Sequence, residues 1–302
     1  MTTRPPLLGR DVVQRLVLVV VAYVPMLLND VGRVAADTKA YLYLDPGRLL
    51  ERALYMWQPE VALGSVTHQN IGYLWPVGPF FWLGEALGLP DWITQRLWLG
   101  SVLLAAGLGM RWFLRTLGWR GPAMLVSSLA YMLSPYLLNY VDRHSVILLP
   151  WAGLPWLMGL TIRALRTPGW RHAAAFGLVT LTVGGVNASS LLLVGIGPVA
   201  WLAWCGLERS APWSRITGTA TRLGAAFVAT GAWWMVGLAV QARYGLPTLR
   251  LTENYKVVSD AATAPELFRG LGYWYFYGQG RLGAWIEPAT SYTRWALPLS
   301  FA

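Results

Sequence analysis

Runs of about twenty apolar residues recur along the chain, separated by short polar connections rich in arginine. They lie at about 12–30, 92–112, 121–141, 145–163, 171–188, 189–207 and 223–242. A helix rising 1.5 Å per residue needs about twenty apolar residues to cross the roughly 30 Å hydrocarbon core of a bilayer, so the pattern predicts seven transmembrane helices. An eighth apolar stretch, Gly72 to Leu89, is interrupted by Pro76, Gly78 and Pro79 and carries Glu85. It reads as an interfacial or re-entrant segment rather than a span. Arg4, Arg10 and Arg15 around the start of the first run resemble the basic region of a signal peptide, but no small-residue cleavage site closes the run. It is read as a retained helix.

The connection from Asn29 to about Pro90 is far longer than two neighbouring helices require. Within it, a helix starting near Pro46 and reaching Trp57 would place Leu49, Leu50, Ala53, Leu54 and Trp57 on one face, with Arg48, Glu51 and Arg52 mostly elsewhere. That pattern predicts a short amphipathic helix in the membrane interface, a layer that Trp75, Phe80, Phe81 and Trp82 extend. A loop of this character suits a lipidic ligand met at the membrane surface.

Composition agrees with an all-α polytopic membrane protein. Hydrophobic residues make up 55% of the 302, charged residues only 13%, and the mean hydropathy is +0.43. An average soluble domain carries roughly 25% charged residues. The single cysteine, Cys205, excludes an intrachain disulfide and a Cys-based metal site. The net charge of +10 decides orientation, because short loops rich in Lys and Arg stay cytoplasmic. With seven spans and a cytoplasmic N-terminus, the clusters Arg111/Arg115/Arg120, Arg163/Arg166/Arg171 and Arg209/Arg215/Arg222 all fall inside; counting Gly72–Leu89 as a span would put two of them outside. Of the fourteen acids, only Asp11 and Glu208 then fall inside. The basic face suits anionic membrane lipids and, as a sharper reading, an acidic cytosolic partner such as an acyl carrier protein. Nucleic acid is not expected. The chain divides into a membrane module at 1–242, with its first external loop at about 29–90, and an extracytoplasmic aromatic-rich segment at 243–302.

Candidate chemistry collects on the external side. Asp37, in Ala36-Asp37-Thr38-Lys39-Ala40-Tyr41, and Asp30, just after the first span, stand at headgroup height, where an acid serves as a general base or orients a polar substrate. The structural alternative is that Asp37 pairs only with Lys39 or Arg33, and that Asp30 caps a helix end or is solvated. Further polar groups on the same side are His68, Gln69 and Asn70, then Asn139, Asp142, Arg143 and His144, then Glu253. Arg143 and His144 suit a phosphate, although a turn between helices needs polar residues in any case. His68 and His144 do not by themselves make a metal site. The run Tyr273-Trp-Tyr-Phe-Tyr277 between glycines suits an interfacial belt or stacking on sugar rings. No nucleotide-binding glycine loop, His-Glu-x-x-His or Gly-x-Ser-x-Gly occurs. No cofactor is demanded, and a divalent cation is compatible with the acids on that side.

Asp37-Thr-Lys39, Tyr41-Leu42, Asp45-Pro46, Leu49-Leu50, Tyr55-x-Trp57-x-Pro59, Gly64, Gln69 and Gly72-Tyr-Leu-x-Pro76-x-Gly-Pro-Phe-Phe81 resemble the start of the mycobacterial and corynebacterial α-(1→3)-arabinofuranosyltransferases of the D type. The spans and the long first loop are similar to the GT-C glycosyltransferase module. The resemblance implies an inverting transferase that moves arabinofuranose from decaprenyl-phosphoryl-arabinose to the arabinan of arabinogalactan or lipoarabinomannan at the outer face of the plasma membrane. It implies an acid of the first external loop as base, which Asp37 matches best and Asp30 second. Lys39, Arg143 and His144 are candidates for the donor phosphate by charge and side, and Tyr41, His68, Gln69, Asn70 and Glu253 for donor or acceptor contacts. Family members are much longer, so the chain reads as an N-terminal portion truncated before further spans. The alternatives are a transporter of a polyprenyl-linked sugar or lipid, which calls for polar residues inside the spans and two related halves, and a non-catalytic membrane scaffold. Neither transporter feature is evident in the pattern.

Overall fold

The structure, a computed structural model, describes residues 9–245 apart from 36, 38, 62, 67–69 and 142–144, and beyond them 259, 262–269, 276 and 291. Helix α1 (Arg10–Leu28) leads into the long connection. That connection holds α2 (Tyr41–Leu44), α3 (Pro46–Ala53), a two-stranded antiparallel hairpin of β1 (Trp57–Gln58) and β2 (Ser65–Val66), a 3-10 turn at Ile71–Leu74 and α4 (Val77–Ala86). Next come α5 (Asp91–Thr116), α6 (Ala123–Met132), α7 (Pro135–Tyr140), α8 (Ser145–Arg166), α9 (Trp170–Gly184), α10 (Ala188–Leu207) and α11 (Trp213–Tyr244), with a short α12 (Ala264–Phe268) beyond.

All seven apolar runs are helical, but among the described residues only α1, α5, α8, α10 and α11 are long and apolar enough to cross a membrane. The run at 121–141 is split. Pro135 has no N–H to donate, and it holds Ser134 extended, with ψ 155°, so α6 stops after ten residues and α7 restarts. Helix α9 has fifteen residues, about 22 Å, and ends at Gly184. Proline has a different consequence in α8, which runs through Pro150 and Pro155. Pro155 cannot bond the carbonyl of Trp151, and the Tyr131 hydroxyl donates to that oxygen instead, at 2.5 Å, with the Tyr131 ring stacked on Trp151 at 4.8 Å.

The bundle centres on α5 and α8, whose Leu99, Leu103, Leu148 and Leu157 are essentially solvent-free. Gly109 lets the Trp156 indole lie against α5 and donate to Ala105 O at 2.9 Å; a β-carbon there would stand 2.4 Å from the indole nitrogen. Two ends are defined by contacts. At one, the N-terminus of α1 meets the C-terminus of α5 through Asp11 and Arg111, while Arg166 of α8 donates to Thr116 O of α5 at 2.6 Å. This basic end holds Arg15, Arg115 and Arg163 as well. The opposite, loop end holds the long connection: Val66 bridges Gly245 after α11, and Gly72 packs backbone to backbone on Gly185 after α9. A β-carbon on Gly72 would lie 2.1 Å from the Gly185 carbonyl oxygen, so only glycine permits that seat.

Within the connection, α3 begins where Pro46 predicts, with the Asp45 carboxylate accepting the Arg48 N–H at 2.8 Å as its N-cap. Leu49 and Ala53 are buried, but the helix ends at Ala53, so Leu54 and Trp57, expected on the same face, are exposed and Trp57 joins the hairpin. The Gly72–Leu89 stretch is a turn plus a ten-residue helix too short to span, as read from its prolines. Helix α5 carries buried polar residues towards its ends. Gln95, Arg96 and Arg111 of α5 are all at least nine-tenths buried, because loop backbone and α1 side chains supply their partners.

Candidate active site

Asp37 lies on the extended segment after α1, 7% exposed. Its Oδ1 accepts the backbone N–H of Ser145 at 2.7 Å, and its Oδ2 accepts the Ser145 hydroxyl. Ser145 is the first residue of α8, so Asp37 caps that helix from 108 positions away and sits on the positive end of its dipole. Charge-assisted bonds of this kind contribute roughly 1.5–3 kcal/mol each. Trp98 of α5 closes the far side, donating from Nε1 to Ser145 Oγ at 3.3 Å.

The backbone that carries Asp37 is held by Gln95. This fully buried amide accepts the Ala35 N–H at 2.8 Å and donates to Ala35 O at 2.9 Å and to the Tyr43 hydroxyl at 2.9 Å. Ala35 O also accepts the Asp37 N–H at 2.8 Å. A two-point amide-to-backbone clamp thus fixes the residue two positions before Asp37.

Lys39 is turned to a different set of groups. Its ammonium donates to Asn70 Oδ1 and lies 5.4 Å from the Tyr41 ring centre and 5.3 Å from that of Tyr73. The Tyr41 hydroxyl donates to the same Asn70 oxygen at 3.3 Å. Among the described residues no carboxylate lies within ion-pair distance of Lys39, Asp37 included, and none of Arg33. Burial lowers the Lys39 amine to about 8, since a desolvated ammonium is disfavoured until an anion faces it. Burial raises the Tyr41 phenol, partly opposed by its bond to Asn70.

The structure therefore joins Lys39, Tyr41 and Asn70, and binds Asp37, two positions before Lys39 in the chain, to Ser145. Asp30 is apart, exposed in the turn after α1 with φ +44°. His68, Gln69, Arg143, His144 and Glu253 lie outside the described residues, as does the 272–279 aromatic run apart from the buried Phe276. Arg143 and His144 immediately precede Ser145 in sequence. Gln95, Trp98 and Ser145 are the residues that sequence reasoning passed over. A glutamine inside the apolar run 92–112 was the available signal, since an intramembrane amide needs a partner.

The likeness to known proteins bears on the same region. The family described as alpha-(1->3)-arabinofuranosyltransferase, N-terminal GT-C domain, matches residues 20–297. The chain is 34% identical over 248 residues to the alpha-(1->3)-arabinofuranosyltransferase of Mycobacterium tuberculosis (strain ATCC 25618 / H37Rv), across 80% of this chain and 17% of that protein. It is 33% identical over 247 residues to the protein of the same description from Mycolicibacterium smegmatis (strain ATCC 700084 / mc(2)155), with the same coverage. The cryo-EM structure of arabinofuranosyltransferase AftD from Mycobacteria superposes with a TM-score of 0.72 at 27% identity, over 87% of this chain and 19% of that one. The chain thus spans about a sixth of the length of the curated relatives it matches.

Proposed function

The chain belongs to the α-(1→3)-arabinofuranosyltransferase N-terminal GT-C family, and from that premise we propose that it is the catalytic membrane module of an arabinofuranosyltransferase. The donor is decaprenyl-phosphoryl-arabinose, the acceptor is cell-wall arabinan, and the loop end faces outward from the plasma membrane with the N-terminus in the cytoplasm. The observation that carries the reading is Asp37: a buried carboxylate fixed at a helix N-terminus, two positions along the chain from a lysine that no described carboxylate neutralises.

In this mechanism an arabinan hydroxyl gives its proton to Asp37 as its oxygen attacks the anomeric carbon. The bond from that carbon to the phosphate oxygen breaks, and the electron pair leaves on the polyprenyl phosphate. Attack in line with departure inverts the anomeric centre. The Lys39 ammonium stands ready for the charge on the leaving phosphate, and Arg143 and His144 are assigned to the same phosphate by their place in sequence beside Ser145. Glu253, His68 and Gln69 are assigned to substrate contacts on the same side, and Asp30, in its exposed turn, is the second candidate for the base. At the basic end, exposed Arg171, Arg209 and Arg215 are available to anionic lipids or to an acidic cytosolic partner such as an acyl carrier protein.

Asp37→Asn in the intact enzyme tests the reading. The amide keeps an oxygen for the Ser145 N–H but cannot take a proton, so transfer from the lipid donor falls by about 10²–10⁴, the usual share of a general base. Unimpaired transfer refutes the role of Asp37. Lipid-donor binding without any turnover in the unmutated protein points instead to a scaffold.

A further inference from the structure

Beside α3 the long connection leaves a cleft of about 330 Å³, whose lining includes Tyr41, Leu44, Asp45, Arg48, Arg52 and Asn70. Asp37, Lys39 and Ser145 do not line it, so it is separate from the candidate base. The larger hollows, about 530 Å³ and about 440 Å³, lie between the long helices and are walled almost wholly by apolar side chains. We infer that the cleft seats the headgroup phosphate of an anionic membrane glycerophospholipid, and that the exposed apolar residues around it dip into the same leaflet.

Charge is the first reason. The lining sets two guanidinium groups against one carboxylate, and Asp45 Oδ1 is already engaged by the Arg48 N–H at 2.8 Å. The Arg48 side chain is exposed and has no ion-pair partner among the described residues. Arg52 reaches Glu60, outside the lining, at 2.7 Å, but those side chains are 43% and 64% exposed, and a surface pair of this kind is weak enough to share with a phosphate. Asn70 adds a donor. Its Oδ1 is held by Lys39 and Tyr41, which leaves the NH₂ on the opposite side of the amide, where no described acceptor meets it. Guanidinium and amide N–H groups converging on one cleft suit a phosphate.

The surroundings are the second reason. Leu44 lines the cleft and is 78% exposed, and Leu54, Tyr55 and Trp57, beyond the end of α3, are exposed as well. Trp82 of α4 is also exposed and borders α3, its ring 3.8 Å from the place of a β-carbon on Gly47. Large apolar side chains grouped in this way are costly in water and favourable at a membrane surface, where aromatic rings settle at headgroup depth and arginines meet lipid phosphates. A free phosphate would use the arginines and leave the apolar group in water, whereas a phospholipid accounts for both. The seated lipid does not react, so the inference stands apart from the transferase reading.

Amide hydrogen exchange of the full chain in nanodiscs tests this, with phosphatidylcholine alone compared with phosphatidylcholine containing phosphatidylglycerol. The anionic lipid is expected to slow exchange across 41–58 about fivefold, the share of one arginine at an anionic surface. Arg48→Glu is expected to abolish that slowing while the basic end, with its exposed Arg171, Arg209 and Arg215, keeps its own response to the lipid. Leu44→Asn is expected to weaken the slowing. Inorganic phosphate added to phosphatidylcholine discs is expected to leave 41–58 unchanged. Slowing by phosphate alone would mark a site for a soluble anion and overturn the lipid assignment. Equal exchange in the two lipids, or slowing that survives Arg48→Glu, overturns the site itself.

Discussion

At the basic end, Asp11 is met by three guanidinium groups, from Arg15 at 2.8 Å, Arg115 at 3.3 Å and the buried Arg111, and Arg111 also donates to Gln14. At the loop end an acid and a cation stand only two positions apart in sequence, yet Asp37 is bound by the N–H and O–H of Ser145 while Lys39 is bound by an amide oxygen. The first arrangement neutralises charge and ties α1 to α5. The second leaves the ammonium without a described anionic partner, at the cost of a depressed amine pKa. Charge that is satisfied within the fold stabilises it, and charge held apart is available to a ligand.

Separating the loop end from the bundle is expected to have the largest effect. Gly72→Ala places a β-carbon 2.1 Å from Gly185 O, a clash between backbones that no rotamer relieves. Overpacking of this kind costs about 1–3 kcal/mol or more. Transfer activity is expected to fall at least 100-fold and trypsin to cut at Arg48 or Arg52, while the basic end keeps its hydrogen-exchange protection. Loss of protection at both ends would show that they are one cooperative unit.

Gln95→Leu comes next. It removes three hydrogen bonds and leaves the Ala35 backbone groups without that partner, so the carrier of Asp37 loosens. kcat is expected to fall about tenfold to a hundredfold with a smaller change in donor KM, measured by steady-state transfer. Equal loss in both parameters would mean that Gln95 shapes the binding site rather than the base.

Lys39 gives a smaller, pH-dependent effect. Its charge is lost as pH rises through about 8, so donor KM is expected to climb a few-fold above that pH and to stay flat in Lys39→Met. Stability runs the other way. The folded-state pKa lies below the ordinary lysine value of 10.5, so the unfolded chain holds more protons between those two values, and folding is favoured as pH rises across the window. Chemical denaturation of wild type against Lys39→Met at pH 7 and pH 10 reads this sign.

The smallest effect on catalysis belongs to Asp11→Asn. Removing the acid leaves Arg111 buried without its counter-charge, and because the Asp11 side chain is 39% exposed the loss is discounted to about 2 kcal/mol. The melting temperature drops while kcat of the folded protein stays within twofold. A large fall in kcat would break the contrast between a structural and a chemical end.

The sequence by itself determined the apolar runs, the start of α3 at Asp45-Pro46, the non-spanning character of Gly72–Leu89 and the motif from Asp37 to Phe81, because periodicity, proline and capping act within a few residues. It also marked Asp37, Lys39, Tyr41 and Asn70, although not that Asn70 joins the other two. The tertiary structure alone decided that Asp37 meets Ser145 across 108 residues and that Gln95 reaches Ala35 across 60. The same holds for the seat of Gly72 on Gly185. A pattern of apolar and polar residues records whether a position is buried, while the partner that satisfies a buried polar group depends on how helices distant in sequence pack.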